Sequence, residues 1–359
     1  MFTGKKLLTL VLAVLMLMPV IASTQDVKEL IGAGASFPYP LYSKWFDVYA
    51  KTYGIKVNYQ SIGSGGGIRQ LMNKTVDFGG SDAFLTSEEK EKFGAEVIHI
   101  PATLGGVAII YNLSTKEQLK LTPQILADIY LGKITTWKDP RITAENPGVV
   151  FPDLPIIAAQ RSDGSGTTSI FTDYLCKVSP EWKEKVGMGK SVNWPMGIGG
   201  KGNEGVAGSV KQLPGSIGYV EVIYAEKNDL KYALLKNRKG VFISPTIESI
   251  SAAADVALPD DMCVSITDTE AENGYPISGF TWILVYRDQK YGNRTIEQAQ
   301  ALKDLMLWCV TTAQAHSAEL LYAPLPKAAT EKALKLVERI SFGDDPVKPA
   351  SMPAKKSTE

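Results

Sequence analysis

Leu30-Ile31-Gly32-Ala33-Gly34-Ala35-Ser36-Phe37-Pro38 is a short apolar strand that breaks into a small-residue loop and meets a proline suited to the first turn of a helix. Outward from it the pattern repeats: a helix after Pro38, a strand over 56–60, a helix after Gly67 and a strand over 76–79. This alternation predicts an α/β chain with a parallel-rich sheet. Leu41, Trp45, Tyr49 and Tyr53 follow at i+4 spacing and give the first helix one apolar face, which reads as core.

Two further apolar runs break in the same way, at Ile62-Gly-Ser-Gly-Gly-Gly67 and at Ala159-Gln-Arg-Ser-Asp-Gly-Ser-Gly-Thr167. A Gly/Ser loop entering a helix offers backbone N–H groups, hydroxyls and the positive end of the helix dipole to an anion. Three such loops, with Arg161 in the third, predict a pocket for a small oxyanion. Arg161 offers a planar fork that suits a phosphate-like or carboxylate partner, and Asp163 is placed to hold that fork by an ion pair. Ser165, Gly166 and Thr167 add hydroxyls and a close backbone approach. Asp82, in Val76-Asp-Phe-Gly-Gly-Ser-Asp82, is the one acceptor. A carboxylate beside a bound anion is repulsive unless the anion carries a proton it can accept, a condition that protonated phosphate or arsenate meets and sulfate at neutral pH does not. Local sequence leaves plainer roles open: Ser64 and Ser165 as helix caps, and Asp82 as a cap for the segment through Glu89.

Composition narrows the function. Basic and acidic groups balance at 38 each, so no global field attracts an anion and no clustered basic surface suits nucleic acid. Lys5 and Lys6, an apolar run from Leu7 to Met18 and the small-residue end at Ala22 read as a secretory signal peptide over residues 1–22. The apolar run is short for a membrane span, and with no Cys at the cut the exported chain is expected free in an oxidising space. Cys176, Cys263 and Cys309 form no C-x-x-C pair and read as buried thiols, with a single disulfide still open; His99 and His316 read as packing residues. Neither a metal cluster nor a cofactor motif is found. The loops lack the G-x-x-x-x-G-K-[ST] phosphate loop and the G-x-S-x-G elbow, which disfavours nucleotide hydrolysis and a Ser–His hydrolase.

The length exceeds what one hydrophobic core usually organises. A change of texture near Leu104, at the apolar run Gly105-Gly-Val-Ala-Ile-Ile-Tyr111, and a second apolar strand at Phe280-Thr-Trp-Ile-Leu-Val-Tyr286 suggest two crossings between domains. The expected division is residues 23–104 plus 282–342 as a discontinuous first domain, 105–281 as a second, and a flexible tail over 343–359, where nothing in the composition buries a face.

Taken together, Gly32–Pro38, Val57–Gly67, Val76–Asp82, Asp128–Ile134, Arg161–Thr167, Trp194–Asn203 and Leu213–Val220 resemble, in order, the periplasmic phosphate-binding proteins of high-affinity ABC phosphate uptake systems. The resemblance implies a type II periplasmic solute-binding fold, two α/β domains joined by a two-strand hinge around a cleft. It implies a non-catalytic monomeric receptor that delivers inorganic phosphate to a transmembrane permease served by a cytoplasmic ATPase. Carried over position by position, the phosphate contacts are Ser36, Phe37, Ser64, Asp82, Arg161, Asp163, Ser165, Gly166 and Thr167. Two departures from the family pattern are Ser36 where Thr is familiar, which keeps the hydroxyl, and Gly65 in a loop often written Ser-Ser-Gly-Gly, which loses a side-chain donor. Another tetrahedral anion such as sulfate or arsenate, and a secreted phosphomonoesterase, are the competing readings.

Overall fold

The computed structural model describes residues 27–349. The signal-peptide reading of residues 1–22 and the end of the tail reading, 350–359, lie outside the described residues.

Strand and helix alternate as the hydrophobic pattern dictates. Nine strands make one sheet, in the order Lys56–Ser61, Glu29–Gly34, Phe78–Ser81, Ser278–Tyr286, Val97–Tyr111, Ser216–Glu221, Ile157–Arg161 and Ile198–Gly200, with Lys231–Tyr232 also paired to Val97–Tyr111. The flanks are parallel, Glu29–Gly34 with both of its neighbours and Ile157–Arg161 with both of its own. The centre is antiparallel, so the expectation of a parallel-rich sheet holds only at the sides. The reason is long-range: parallel neighbours follow from local strand–helix–strand crossovers, whereas Ser278–Tyr286 inserts from far along the chain in the opposite sense.

Val97–Tyr111 ties the two flanks together. Its first part, Val97–Gly106, pairs with Ser278–Tyr286, and its last part, Val107–Tyr111, pairs with Ser216–Glu221. Covered on both faces, it is buried from Ile98 onward, which explains an apolar run without alternation.

Helices cover the sheet. Tyr39–Tyr53, with Pro40 in its first turn and left-handed Gly54 ending it, buries Leu41, Trp45 and Tyr49 as the i+4 pattern demands. Its aromatic face meets Trp308 of Ile296–Val310, whose ring centroid lies 5.2 Å from that of Tyr49, so a C-terminal helix packs on the N-terminal flank. The second helix starts at Ser64 rather than after Gly67, and Gly65, Gly66 and Gly67 are buried inside it. A Cβ on Gly67 would run into the Ala33 carbonyl. Gly67 therefore serves helix–strand contact, whereas Gly65 faces Gly164 and Gly66 packs on Ile62.

Other expectations change with the packing. Only Cys309 is buried, Cys176 and Cys263 are half-buried, and all three are free thiols. His99 is buried and its Nε2 accepts the Leu85 N–H at 3.0 Å, and burial pushes its pKa down to about 4. His316 pairs with Glu319 near the surface. Residues 343–347, placed in the tail by composition, complete a small hairpin of Ser341–Phe342 with Asp345–Pro346, and Val347 is buried with its carbonyl accepting from the Lys303 ammonium at 2.8 Å.

Candidate functional site

The candidate residues arrive at one place because each follows a strand. Ser36 and Phe37 follow Glu29–Gly34, Ser64 follows Lys56–Ser61, Asp82 follows Phe78–Ser81, and Arg161 to Thr167 link Ile157–Arg161 to the helix Gly166–Val178. The carboxyl ends of strands in an α/β sheet are where helix N-termini and ligand crevices meet. Ser36, Ser64, Asp82, Arg161, Ser165 and Thr167 are all buried.

Hydrogen bonding gives the hydroxyls a common polarity. Ser64 sits in the first turn of its helix, whose cap position is Gly63, and its Oγ accepts from the backbone N–H of Asp82 at 3.2 Å and of Gly166 at 3.0 Å. It caps nothing of its own helix and instead bridges two loops. The Ser36 Oγ accepts from the backbone N–H of Asn203 at 3.1 Å and from its side-chain Nδ2 at 2.8 Å. The Thr167 Oγ1 accepts from the same Nδ2 at 3.2 Å and from Arg161 Nη1 at 3.4 Å. A hydroxyl has two acceptor sites and one proton. With the lone pairs taken, all three retain only the O–H, and each is left as a donor.

Arg161 is tied down by Asp163, whose Oδ1 accepts from Nε at 2.8 Å and whose Oδ2 accepts from Nη2 at 2.6 Å. The guanidinium is 1% exposed. The ion pair expected from sequence therefore occupies the Nε/Nη2 edge, and the end of the guanidinium carrying Nη1 and Nη2 is the edge left for an anion. Asp163 also accepts the Gly202 N–H at 3.1 Å. Burial raises its pKa, but the Arg161 hydrogen bonds and charge outweigh that and hold it below the usual carboxylate range, so Asp163 is an anion spent on positioning.

Asp82 is not a helix cap. The following helix, Ser87–Phe93, is capped by Thr86 in a reciprocal box with Glu89. Oδ1 of Asp82 accepts the Thr281 hydroxyl at 2.7 Å. Burial pushes the carboxyl up to about 7, against the lowering pull of Thr281, the Arg161 charge and Ser64. A carboxyl poised there exchanges a proton readily at neutral pH. It also crowds Gly166, where an added Cβ would lie 2.5 Å from the Asp82 side chain, so only glycine fits.

The remaining candidates divide. Ser165 caps its helix, its Oγ accepting the Thr168 N–H at 3.0 Å, while its own N–H donates to the Lys190 carbonyl at 2.8 Å. The cap uses a lone pair of that hydroxyl and not its proton. The Phe37 carbonyl accepts the Tyr322 hydroxyl at 2.6 Å, and the Ser36 carbonyl accepts Tyr224 at 2.6 Å.

Sequence reasoning missed Asn203, Tyr224, Thr281 and Tyr322. Asn203 carried a weak signal, since Lys201-Gly202-Asn203 enters the helix Gly202–Gln212 after a Gly-rich run. The tyrosines and Thr281 carried none, because they reach the loops from 188, 199 and 285 residues away.

A family model for the PBP superfamily domain matches residues 20–312. The Phosphate-binding protein PstS of Pasteurella multocida is 46% identical over 316 residues, covering 87% of this chain and 90% of that protein. The Phosphate-binding protein PstS of Xylella fastidiosa strain Temecula1 is 47% identical over 313 residues, covering 86% and 84%. Among solved structures, a high affinity periplasmic phosphate-binding protein bound with phosphate superposes with a TM-score of 0.67 at 22% identity, covering 85% of this chain and 92% of that one. At that identity the likeness is one of fold.

Proposed function

The chain belongs to the PBP superfamily and, within it, to the family of the phosphate-binding proteins PstS, and from that premise we propose that it binds inorganic phosphate with high affinity and hands it to an ABC-type membrane permease. The architecture is the type II periplasmic binding fold. The observation that carries the reading is the pairing of donors with one acceptor: three buried hydroxyls whose lone pairs are already filled, the Nη1/Nη2 end of Arg161 that Asp163 does not cover, and one carboxyl, Asp82. Such a set suits a tetrahedral oxyanion that carries a proton.

Ser36, Phe37, Ser64, Asp82, Arg161, Ser165, Gly166 and Thr167 are proposed to surround the anion, with Asp163 holding Arg161. The lobes are proposed as residues 23–104 plus 282–342 and residues 105–281, hinged where Val97–Tyr111 passes from one flank to the other. Closure around a ligand touching both lobes follows from its differential contacts. Export through a cleaved residue 1–22 segment, a periplasmic monomer and a permease with a cytoplasmic ATPase complete the proposal, in which the chain performs no catalysis.

The test is titration calorimetry of ligand-stripped protein with phosphate, arsenate and sulfate at neutral pH. Tight binding of the first two with little heat from sulfate is expected. Tight sulfate binding, or turnover of a phosphate ester that is lost in Ser165→Ala, overturns the reading.

A further inference from the structure

Asn203 is fully buried and makes no contact that its helix requires. Its Oδ1 accepts the backbone N–H of Glu221 at 2.9 Å. That bond settles which way the amide faces, because a flipped amide would set its NH2 against another donor. The Nδ2 is thereby directed at two hydroxyls, Ser36 at 2.8 Å and Thr167 at 3.2 Å, and the backbone N–H of Asn203 supplies a further bond to Ser36 at 3.1 Å. Ser36 stands 167 residues away on the N-terminal flank, whereas Thr167 and Asn203 belong to the other flank.

Building on the phosphate reading, we propose that Asn203 is a positioning residue that sets the polarity of the Ser36 and Thr167 hydroxyls across the cleft. A lone hydroxyl facing an anion and a carboxyl has two ways to point its proton, and the wrong one presents a lone pair to the ligand. The Asn203 amide takes one acceptor site on each hydroxyl, while the Asn203 backbone N–H takes the second on Ser36 and Arg161 Nη1 the second on Thr167, which leaves both protons to donate inward. Because Ser36 and Asn203 stand on opposite flanks, the orientation of Ser36 is complete only when the cleft is shut, so hydroxyl ordering and closure occur together. Asn203 touches no anion in this account.

The experiment is a double-mutant cycle on ligand-stripped protein, with phosphate affinity by calorimetry and release by stopped flow. Asn203→Ala is expected to weaken phosphate binding about tenfold, mostly through faster release. In a Ser36→Ala background the added loss should shrink to about threefold, since only Thr167 is left to orient. Asn203→Asp, which keeps the shape but replaces the donor by an acceptor, should lose more than Asn203→Ala, and that excess should also shrink in the Ser36→Ala background. Simple repulsion between the new charge and phosphate would not shrink. Equal losses in both backgrounds, for both substitutions, overturn the assignment while leaving the phosphate reading intact. A wild-type protein that gives no phosphate heat overturns both.

Discussion

Thr281 donates its hydroxyl to Oδ1 of Asp82 at 2.7 Å from a strand that joins the sheet 199 residues later. One carboxylate oxygen is thereby engaged from behind, and the carboxyl is proposed as the acceptor of the pocket. An acceptor in a set of donors rejects an anion that has no hydrogen, through charge repulsion and lost solvation.

Asp82→Asn removes that repulsion and offers an N–H in its place. The phosphate-to-sulfate affinity ratio at neutral pH should fall at least tenfold, with sulfate bound better and phosphate worse, each lost or gained charged hydrogen bond being of order 1.5–3 kcal/mol. Calorimetry with both anions measures it. An unchanged ratio would remove Asp82 as the proton acceptor.

Burial pushes the Asp82 carboxyl up to about 7, against about 4 in an unfolded chain. Between those values the folded ligand-free protein holds a proton that the unfolded chain has released, so this group's contribution to stability is full below about pH 4 and is lost as pH rises through about 7. Asp82→Asn stays neutral and keeps it. The melting midpoint of the variant relative to wild type should therefore rise by a few degrees between about pH 5 and about pH 8. A difference that does not change with pH would show that Asp82 titrates as an ordinary carboxyl.

Arg161→Ala should weaken phosphate binding a hundredfold or more, and Arg161→Lys distinctly less, because Lys keeps the charge and loses the paired planar donors. Part of the alanine loss arises from Asp163, which would be left half-buried beside the anion without its 2.6 Å partner. Small, equal losses in both variants would take Arg161 out of the pocket.

Glu89 and Lys190 join the two flanks at 2.8 Å, beside the Lys190 carbonyl that accepts the Ser165 N–H. Burial raises the Glu89 pKa, but the Lys190 and Thr86 hydrogen bonds hold it below the usual carboxylate range, so the pair stays charged into mild acid. With both side chains partly exposed, the pair is worth about 1 kcal/mol at most. Lys190→Met should speed phosphate release about threefold to fivefold in stopped-flow measurements, with association little changed. An unaltered release rate would reduce the pair to an incidental contact.

The Gly65 N–H donates to the Gly164 carbonyl at 2.8 Å, so the second and third Gly/Ser loops already touch across the cleft. In the proposed hinged scheme this contact belongs to the shut arrangement. Small-angle scattering of stripped protein should give a larger radius of gyration than the same protein with phosphate. Identical profiles would count against hinged closure.

The alternation of strands and helices, the apolar face of Tyr39–Tyr53, the family, and the chemistry of the Gly/Ser loops were all legible in the residues, because backbone preference and hydrophobic period act over a few positions. Helix starts were less so: the Gly65 to Gly67 run reads as a loop, and only the close approach of the Ala33 carbonyl to Gly67, which leaves no room for a Cβ there, explains a glycine inside the helix. The central antiparallel strand, the burial of Val347 and the fate of each cysteine depended on segments far apart in the chain. So did the polarity of the pocket. Ser36 and Ser64 are each one hydroxyl with three hydrogen-bonding options, and which option remains is decided by Asn203 and Gly166, 167 and 102 residues away. Residue type determines what a side chain is able to do. Only the fold decides which of its bonds are already taken.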